Sequence, residues 1–124
     1  MADVLIIEDS PLVIQMLTMV CQAEGHDVKS CERFDEISAA VASGAPDLII
    51  TDLNLPDAPD GDIVGEIRSL PGLSHTPIII ISGRPRQELE TIAEETGAQA
   101  ALSKDDGMPV ISSQLPDLIS DLTG

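Results

Sequence analysis

The chain contains no tryptophan and no tyrosine, and Phe34 is its one aromatic residue. A core without rings has to be assembled from Ile, Leu, Val, Ala and Met, and a hydrophobic content of 43% supplies enough of them. Basic residues are also scarce. Six Lys and Arg stand against 22 Asp and Glu, for a formal net charge of −16. Such a surface repels nucleic acid and anionic membranes, which argues against direct DNA binding by this domain. It suits a cation site made of carboxylates. The two cysteines, Cys21 and Cys31, lack zinc or redox spacing, so reduced, partly buried thiols are expected. No apolar run approaches the ~20 residues of a membrane span. The start MADVLIIEDS has neither the basic region nor the long apolar segment of a signal peptide. The expectation is a cytoplasmic protein of one domain, residues 1–124, a length that buries roughly two-thirds of its unfolded surface.

What the chain does contain is an alternation of compact aliphatic runs with helically spaced segments. Val4–Ile7, Leu48–Ile50 and Ile78–Ile81 have the continuous hydrophobicity of strands covered on both faces. His26–Cys31 is a weaker second strand, Asp47–Asp52 the third, Pro77–Ser82 the fourth and Ala100–Leu102 a short fifth. Ser10 and Pro11 start a first helix that carries Val13, Met16, Leu17, Val20 and Cys21 on one stripe and ends at Gly25. Phe34, Ile37, Ala40 and Val41 mark a second helix that stops at Gly44. After the loop Asn54–Asp60, Gly61–Leu70 is a third. Pro85–Thr96 is a fourth, closed by Gly97, and Met108–Leu122 a fifth, interrupted by Pro116. Five strand–helix pairs predict an α/β fold with an open parallel sheet covered by helices on both faces.

Ligands in such sheets bind outside the carboxyl ends of the strands, at the switch point of strand order. The predicted strand ends carry Glu8-Asp9, Asp52 and Ser82, with Lys104 just beyond the fifth. Three converging carboxylates repel one another at a cost that a hard divalent cation reverses. Mg²⁺ or Mn²⁺ would take oxygen ligands there and keep water in its remaining positions. Asp52, on the central strand, is placed to attack a phosphoryl donor and form an acyl phosphate. Such a transfer needs positioning and charge neutralisation more than covalent chemistry. The metal, Lys104 and the Ser82 hydroxyl would each face a phosphoryl oxygen.

VLIIEDS, DLIITDLNLPDAPDG, PIIIISG and ALSKDD, in that order, resemble the receiver domains of two-component response regulators over almost the whole chain. The resemblance implies a flavodoxin-like strand order 2-1-3-4-5. It implies that Asp52 is the phosphoacceptor and Asp9 a direct metal ligand, with Glu8 acting through water and Asn54 lending its backbone carbonyl. It makes Ser82 the switch hydroxyl and Lys104 the phosphoryl-binding ammonium. A sensor histidine kinase or a histidine phosphotransfer protein would be the donor, and Arg84 would stand where the family tunes phosphoryl lifetime.

Two positions depart from the family. Ala101 replaces the aromatic residue usual three positions before the lysine, so loops around Ser82 and Lys104 must carry the signal. Asp105 replaces the usual proline. A cis bond before a non-proline residue costs about 2.5–4 kcal/mol, which predicts a trans peptide after Lys104 and a reshaped loop through Gly107. From Asp105 to Gly124 there is no Lys or Arg, which disfavours mixed-charge dimers through the last helix. The expectation is a stand-alone phosphoacceptor, monomeric or a weak dimer, that is not an enzyme beyond its own phosphorylation and dephosphorylation and that signals to a downstream protein. The alternative is a pseudo-receiver, the same fold used as a phosphorylation-independent binding module. A metal-dependent phosphatase fits poorly, because Asn54 stands where haloacid-dehalogenase-like enzymes place a second Asp. His26 and His75 read as solvated loop residues, Asp57, Asp60 and Asp62 as turn and helix-start residues, and Leu12 and Ile14 as exposed docking candidates.

Overall fold

Branched aliphatic side chains suit a pleated surface covered on both sides, and the runs that contain them become the strands. In the computed structural model, which describes residues 2–55, 57 and 63–123, they are β1 (Asp3–Ile7), β2 (Asp27–Cys31), β3 (Leu48–Asp52), β4 (Ile78–Ser82) and β5 (Ala100–Ser103). All four pairings are parallel and the order is β2-β1-β3-β4-β5, as expected. The central β3 and β4 are buried along their whole length, whereas the edge strand β2 is mostly exposed. Among the described residues, α1 (Pro11–Ala23), α2 (Ile37–Ala40), α3 (Ile63–Arg68) and α4 (Arg86–Thr96) lie between the strands, and α5 (Met108–Thr123) follows β5. None of the helices among the described residues is long and apolar enough to cross a membrane.

The period-two alternation of the strands sorts the core into two halves. Val4, Ile6, Leu48, Ile50, Ile79 and Ile81 pack with Leu17 and Cys21 of α1 and with Ile111, Leu115 and Ile119 of α5. Leu5, Ile7, Ile49, Ile78 and Ile80 pack on the other face with Ile37, Ile63, Val64, Ile67 and Leu89 from α2, α3 and α4. Both cysteines are free and buried, more deeply than expected. Burial pushes each thiol up to about 11, with Glu36 adding to the effect on Cys31.

Two helices differ from expectation. The second is a 3₁₀ turn, Phe34–Glu36, followed by the single α-helical turn Ile37–Ala40. The Phe34 and Asp35 amides are held from outside by Asp57, and a segment this short gains too few bonds to offset helix nucleation. The fifth helix, in contrast, runs without interruption through Pro116. Pro116 has no N–H to offer the Ser112 carbonyl, a defect of about 3 kcal/mol in a helix interior. Burial of Ile111, Leu115 and Ile119, roughly 1.5–3 kcal/mol each, outweighs it. The start of the third helix at Gly61 and Asp62 lies outside the described residues. The termini of the others follow their capping residues. Ser10 Oγ accepts the Val13 amide at 3.4 Å, and Gly97, at φ 80°, closes α4 by donating its N–H to the Ala93 carbonyl.

At the opposite end from the strand carboxyl termini, one side chain ties three segments together. Arg68 donates to the Ser74 and Thr76 carbonyls, to the Gly97 carbonyl at the end of α4, and to Gln99 Oε1. Gln99 Oε1 also accepts the Ile78 amide at 2.8 Å. Replacing the guanidinium by an apolar chain strands several acceptors at once. Arg68→Met is expected to lower unfolding free energy by about 1–3 kcal/mol, measured as a shift of the urea midpoint at constant slope. A loss below about 0.5 kcal/mol, the range of an ordinary surface substitution, would show that the clamp is ornamental.

Candidate functional site

The carboxyl edge of the sheet is where side chains leave the aliphatic layers and polar groups replace them. Extending the alternation by one residue places Glu8, Asp52 and Lys104 on the α1/α5 face, and Ser82 and Ser103 on the α4 face. Glu8 is 2% exposed and Asp52 6%. Lys104 Nζ sits between them, donating to Glu8 Oε1 at 2.9 Å and to Asp52 Oδ2 at 3.0 Å. The Asn54 amide donates to the other Asp52 oxygen, Oδ1, at 3.0 Å, which holds the loop after β3 against its own strand end. Asp9 is exposed beside them, and one oxygen from each of Glu8, Asp9 and Asp52 lies within 4.8 Å of the others.

The electrostatics of this group follow from burial. Desolvation, helped by hydrogen bonding and charge from Asp52, pushes the Glu8 carboxyl from 4.5 up to about 7 despite the opposing Lys104 ammonium. For Lys104 desolvation acts to lower the pKa, but its bonds to Glu8 and Asp52 win and hold it above its ordinary value. Glu8 Oε2 is buried with no hydrogen-bond partner among the described residues. A buried, unpaired carboxylate oxygen beside two further carboxylates is costly alone and is what a hard divalent cation satisfies. The donor set fits Mg²⁺ or Mn²⁺.

Sequence reasoning thus brought Glu8, Asp9, Asp52 and Lys104 to one place, with Asn54 attached through its amide. Ser82 follows Ile81, the register partner of Asp52, and is fully buried with its Oγ accepting the Arg84 amide at 3.3 Å. The peptide after Lys104 is trans, and Lys104–Asp106 forms a 3₁₀ turn that ends at Gly107, φ 95°. Arg84 turns its guanidinium to Glu88 at 3.7 Å, and Arg86 binds Asp106 at 2.9 Å.

Other readings need correction. His75 is exposed, but His26 is half-buried and its Nδ1 accepts the Ala2 amide at 3.0 Å. Leu12 is 65% exposed, whereas Ile14 packs against the α1/α5 core. Met19, on the outer side of α1 and 64% exposed, was not anticipated. Asp57 reaches back to β2's loop, accepting the Phe34 amide at 2.7 Å and the Asp35 amide at 3.0 Å, with Arg33 at 3.5 Å. Desolvation works to raise its carboxyl, but these amides and Arg33 outweigh that and hold it below its ordinary value. Asp60 and Asp62 lie outside the described residues. Ser103 was missed altogether, because the fifth strand reads as ending at Leu102.

Comparison with known proteins agrees with this fold. The family model described as "Response regulator receiver domain" matches residues 4–115. The KDP operon transcriptional regulatory protein KdpE of Escherichia coli K12 is 34% identical over 115 residues, covering 93% of this chain and 50% of that protein. The chain spans about half the length of such curated relatives. The chemotaxis response regulator CheY4 of Vibrio cholerae superposes with a TM-score of 0.79 at 26% identity, covering 94% of this chain and 98% of that one. The receiver domain of sensor histidine kinase PA1611 from Pseudomonas aeruginosa PAO1, solved with a magnesium ion coordinated in its active-site cleft, gives 0.81 at 20% identity, covering 99% and 98%.

A raised carboxyl pKa has a definite sign in stability. Between about 4.5 and about 7 the folded protein binds a proton at Glu8 that the unfolded chain has released. Without metal, stability should therefore fall as pH rises through that window, by roughly 3 kcal/mol at most. Denaturant titrations of the metal-free protein at pH 5 and pH 7.5 measure this. Glu8→Gln should flatten the difference, and an equal pH dependence in the variant would remove Glu8 as its source.

Proposed function

This chain belongs to the response regulator receiver domain family, and from that premise we propose that Asp52 accepts a phosphoryl group from a sensor histidine kinase or a histidine phosphotransfer protein. The observation that carries the reading is the setting of Asp52. Its two oxygens are engaged by Lys104 Nζ and the Asn54 amide, each at 3.0 Å, beside the Glu8 and Asp9 carboxylates. Glu8, Asp9, Asp52 and the Asn54 carbonyl would hold Mg²⁺ or Mn²⁺, which when bound neutralises the charge that accumulates on the transferring group.

The remaining chemistry belongs to the chain. An Asp52 carboxylate oxygen forms the new bond to phosphorus as the phosphorus–nitrogen bond of the donor's phosphohistidine breaks, and the bonding pair leaves with the imidazole. The Asn54 amide keeps the carboxylate from rotating, so the attacking oxygen is presented in one orientation. Lys104 exchanges its contact with Asp52 for a phosphoryl oxygen while staying tied to Glu8. The Ser82 hydroxyl donates to a second phosphoryl oxygen. In this reading the protein turns over no separate substrate; it assists only its own phosphorylation and dephosphorylation.

With a net charge of −16, the receiver is proposed to signal to a protein rather than to DNA, as a monomer or weak dimer. The pseudo-receiver alternative predicts a missing acid, hydroxyl or lysine, and each of these is in place.

Two measurements test the reading. With Mg²⁺ and acetyl phosphate, the intact mass of the wild type should gain one phosphoryl group, and Asp52→Asn should gain none. If neither acetyl phosphate nor a cognate kinase labels the wild type, the phosphoacceptor role is wrong. Separately, Mg²⁺ at a hundredfold excess over its Kd should stabilise the protein by about 2.7 kcal/mol. Asp9→Asn should lose most of that gain, and an undiminished gain would place the cation elsewhere.

A further inference from the structure

The chain has no aromatic residue on β5 with which to sense the loop after Ser82, since Ala101 is small and half-buried against the α4-side core. A different set of contacts spans the same interval. Ser82 and Ser103 are register partners on β4 and β5. The Arg84 amide donates to Ser82 Oγ at 3.3 Å, and Ser103 Oγ donates to the Arg84 carbonyl at 2.6 Å. Ser103 Oγ in turn accepts the Asp105 amide at 3.2 Å. The Lys104 carbonyl accepts the Gly107 amide, and the Gly107 carbonyl accepts the Ile111 amide in the first turn of α5. A continuous line of hydrogen bonds therefore runs from the Ser82 hydroxyl to α5.

Capping alone does not account for Ser103. The Asp105 amide bond is an ordinary cap of the 3₁₀ turn Lys104–Asp106, but the bond to the Arg84 carbonyl contributes nothing to that turn. Ser103 is 2% exposed, so its hydroxyl is poorly placed to replace either contact with water. Around the outside, Arg86 Nε and Nη2 bind Asp106 Oδ2 at 3.2 and 2.9 Å. That pair joins the same two loops, but it is solvent-exposed and screened by salt. The buried hydroxyl is the stronger link.

We propose that Ser103 is a positioning residue that couples the Ser82–Arg86 loop to the Lys104–Gly107 turn, with Arg86–Asp106 as an outer brace, so that displacement of either loop reaches the start of α5. The proposal deepens the phosphoacceptor reading and rests on it for its purpose, because Ser82 and Lys104 are the groups that would meet the phosphoryl oxygens. It adds the route by which their movement leaves the site.

The coupling can be measured without phosphorylation. In ¹⁵N-labelled protein, Ser82→Ala removes the acceptor of the Arg84 amide and perturbs that loop directly. The amides of Asp105, Asp106 and Gly107 should shift in response. In a Ser103→Ala background the same Ser82→Ala change should move them at least threefold less, while the Arg84 amide still responds. Ser103→Thr, which keeps the hydroxyl, should restore the response, and Ser103→Cys, of similar size but with only a weak donor, replaces Ser103→Ala if that variant does not fold. Asp106→Asn should reduce the response modestly at low salt and leave it unchanged at high salt. Equal shifts at 105–107 with and without the Ser103 hydroxyl would overturn the proposal. Adding acetyl phosphate and Mg²⁺ to the same samples separates the two claims. Failure of the wild type to form an adduct with acetyl phosphate and with a cognate kinase counts against Asp52 as acceptor, whereas an adduct whose shifts at 105–107 ignore Ser103 counts against the coupling.

Discussion

Three carboxylates, each with an oxygen within 4.8 Å of the others, repel one another, and the Lys104 ammonium is paired with two of them, Glu8 and Asp52. At 4 Å and an effective dielectric of 20, two unit charges interact by about 4 kcal/mol. The repulsion within the cluster is therefore comparable with the whole margin of stability of a small domain. One ammonium offsets part of it and leaves Glu8 Oε2 buried without a partner among the described residues. The raised pKa of Glu8 meets that remaining cost with a proton, and a hard cation at this cluster would meet it with charge. They exclude each other at the same oxygens.

The sheet makes this arrangement possible by separating two kinds of chemistry. Glu8, Asp52 and Lys104 continue the parity of Ile6, Ile50 and Leu102, and so stand over α1 and α5. Ser82 and Ser103 continue the parity of Ile80 and Ala101, and so stand toward α4. Charge lies on one face of the strand ends and neutral hydroxyls on the other. The charged side gathers the carboxylates and the ammonium, while on the other side the Ser82 and Ser103 hydroxyls meet main-chain groups of Arg84.

How much of this could be read from the residues depended on the range of the interaction. Val4–Ile7, Leu48–Ile50 and Ile78–Ile81 were legible as strands because burial on both faces leaves an unbroken aliphatic run, and the fold class followed. Glu8, Asp9, Asp52, Ser82 and Lys104 were legible because parallel sheets expose their carboxyl ends. Pairing within the site was not. That Lys104 lies between Glu8 and Asp52 depends on the register of strands 52 and 96 residues away in sequence. Ser103 escaped notice because β5 is one residue longer than its apolar run. The Asp57 contacts, across 22 and 23 residues, leave no local pattern. Pro116 misled because local propensity yielded to the burial of Ile111, Leu115 and Ile119.

The Asp57 tether and the Ser103 link share a property that bears on how such a domain can diverge. In each, one partner is a side chain and the other is main chain: the amides of Phe34 and Asp35 in the first, the carbonyl of Arg84 in the second. Every residue except proline carries the same N–H, and every residue carries the same carbonyl. Positions 35 and 84 can therefore exchange side chains, and with them the surface shown to partners, without dissolving the contacts, whereas Phe34 is also held by its packing against the core. For these contacts the side-chain constraint falls on 57 and 103. Recognition and internal mechanics are thus written on different residues of the same loops, and one can drift while the other is kept.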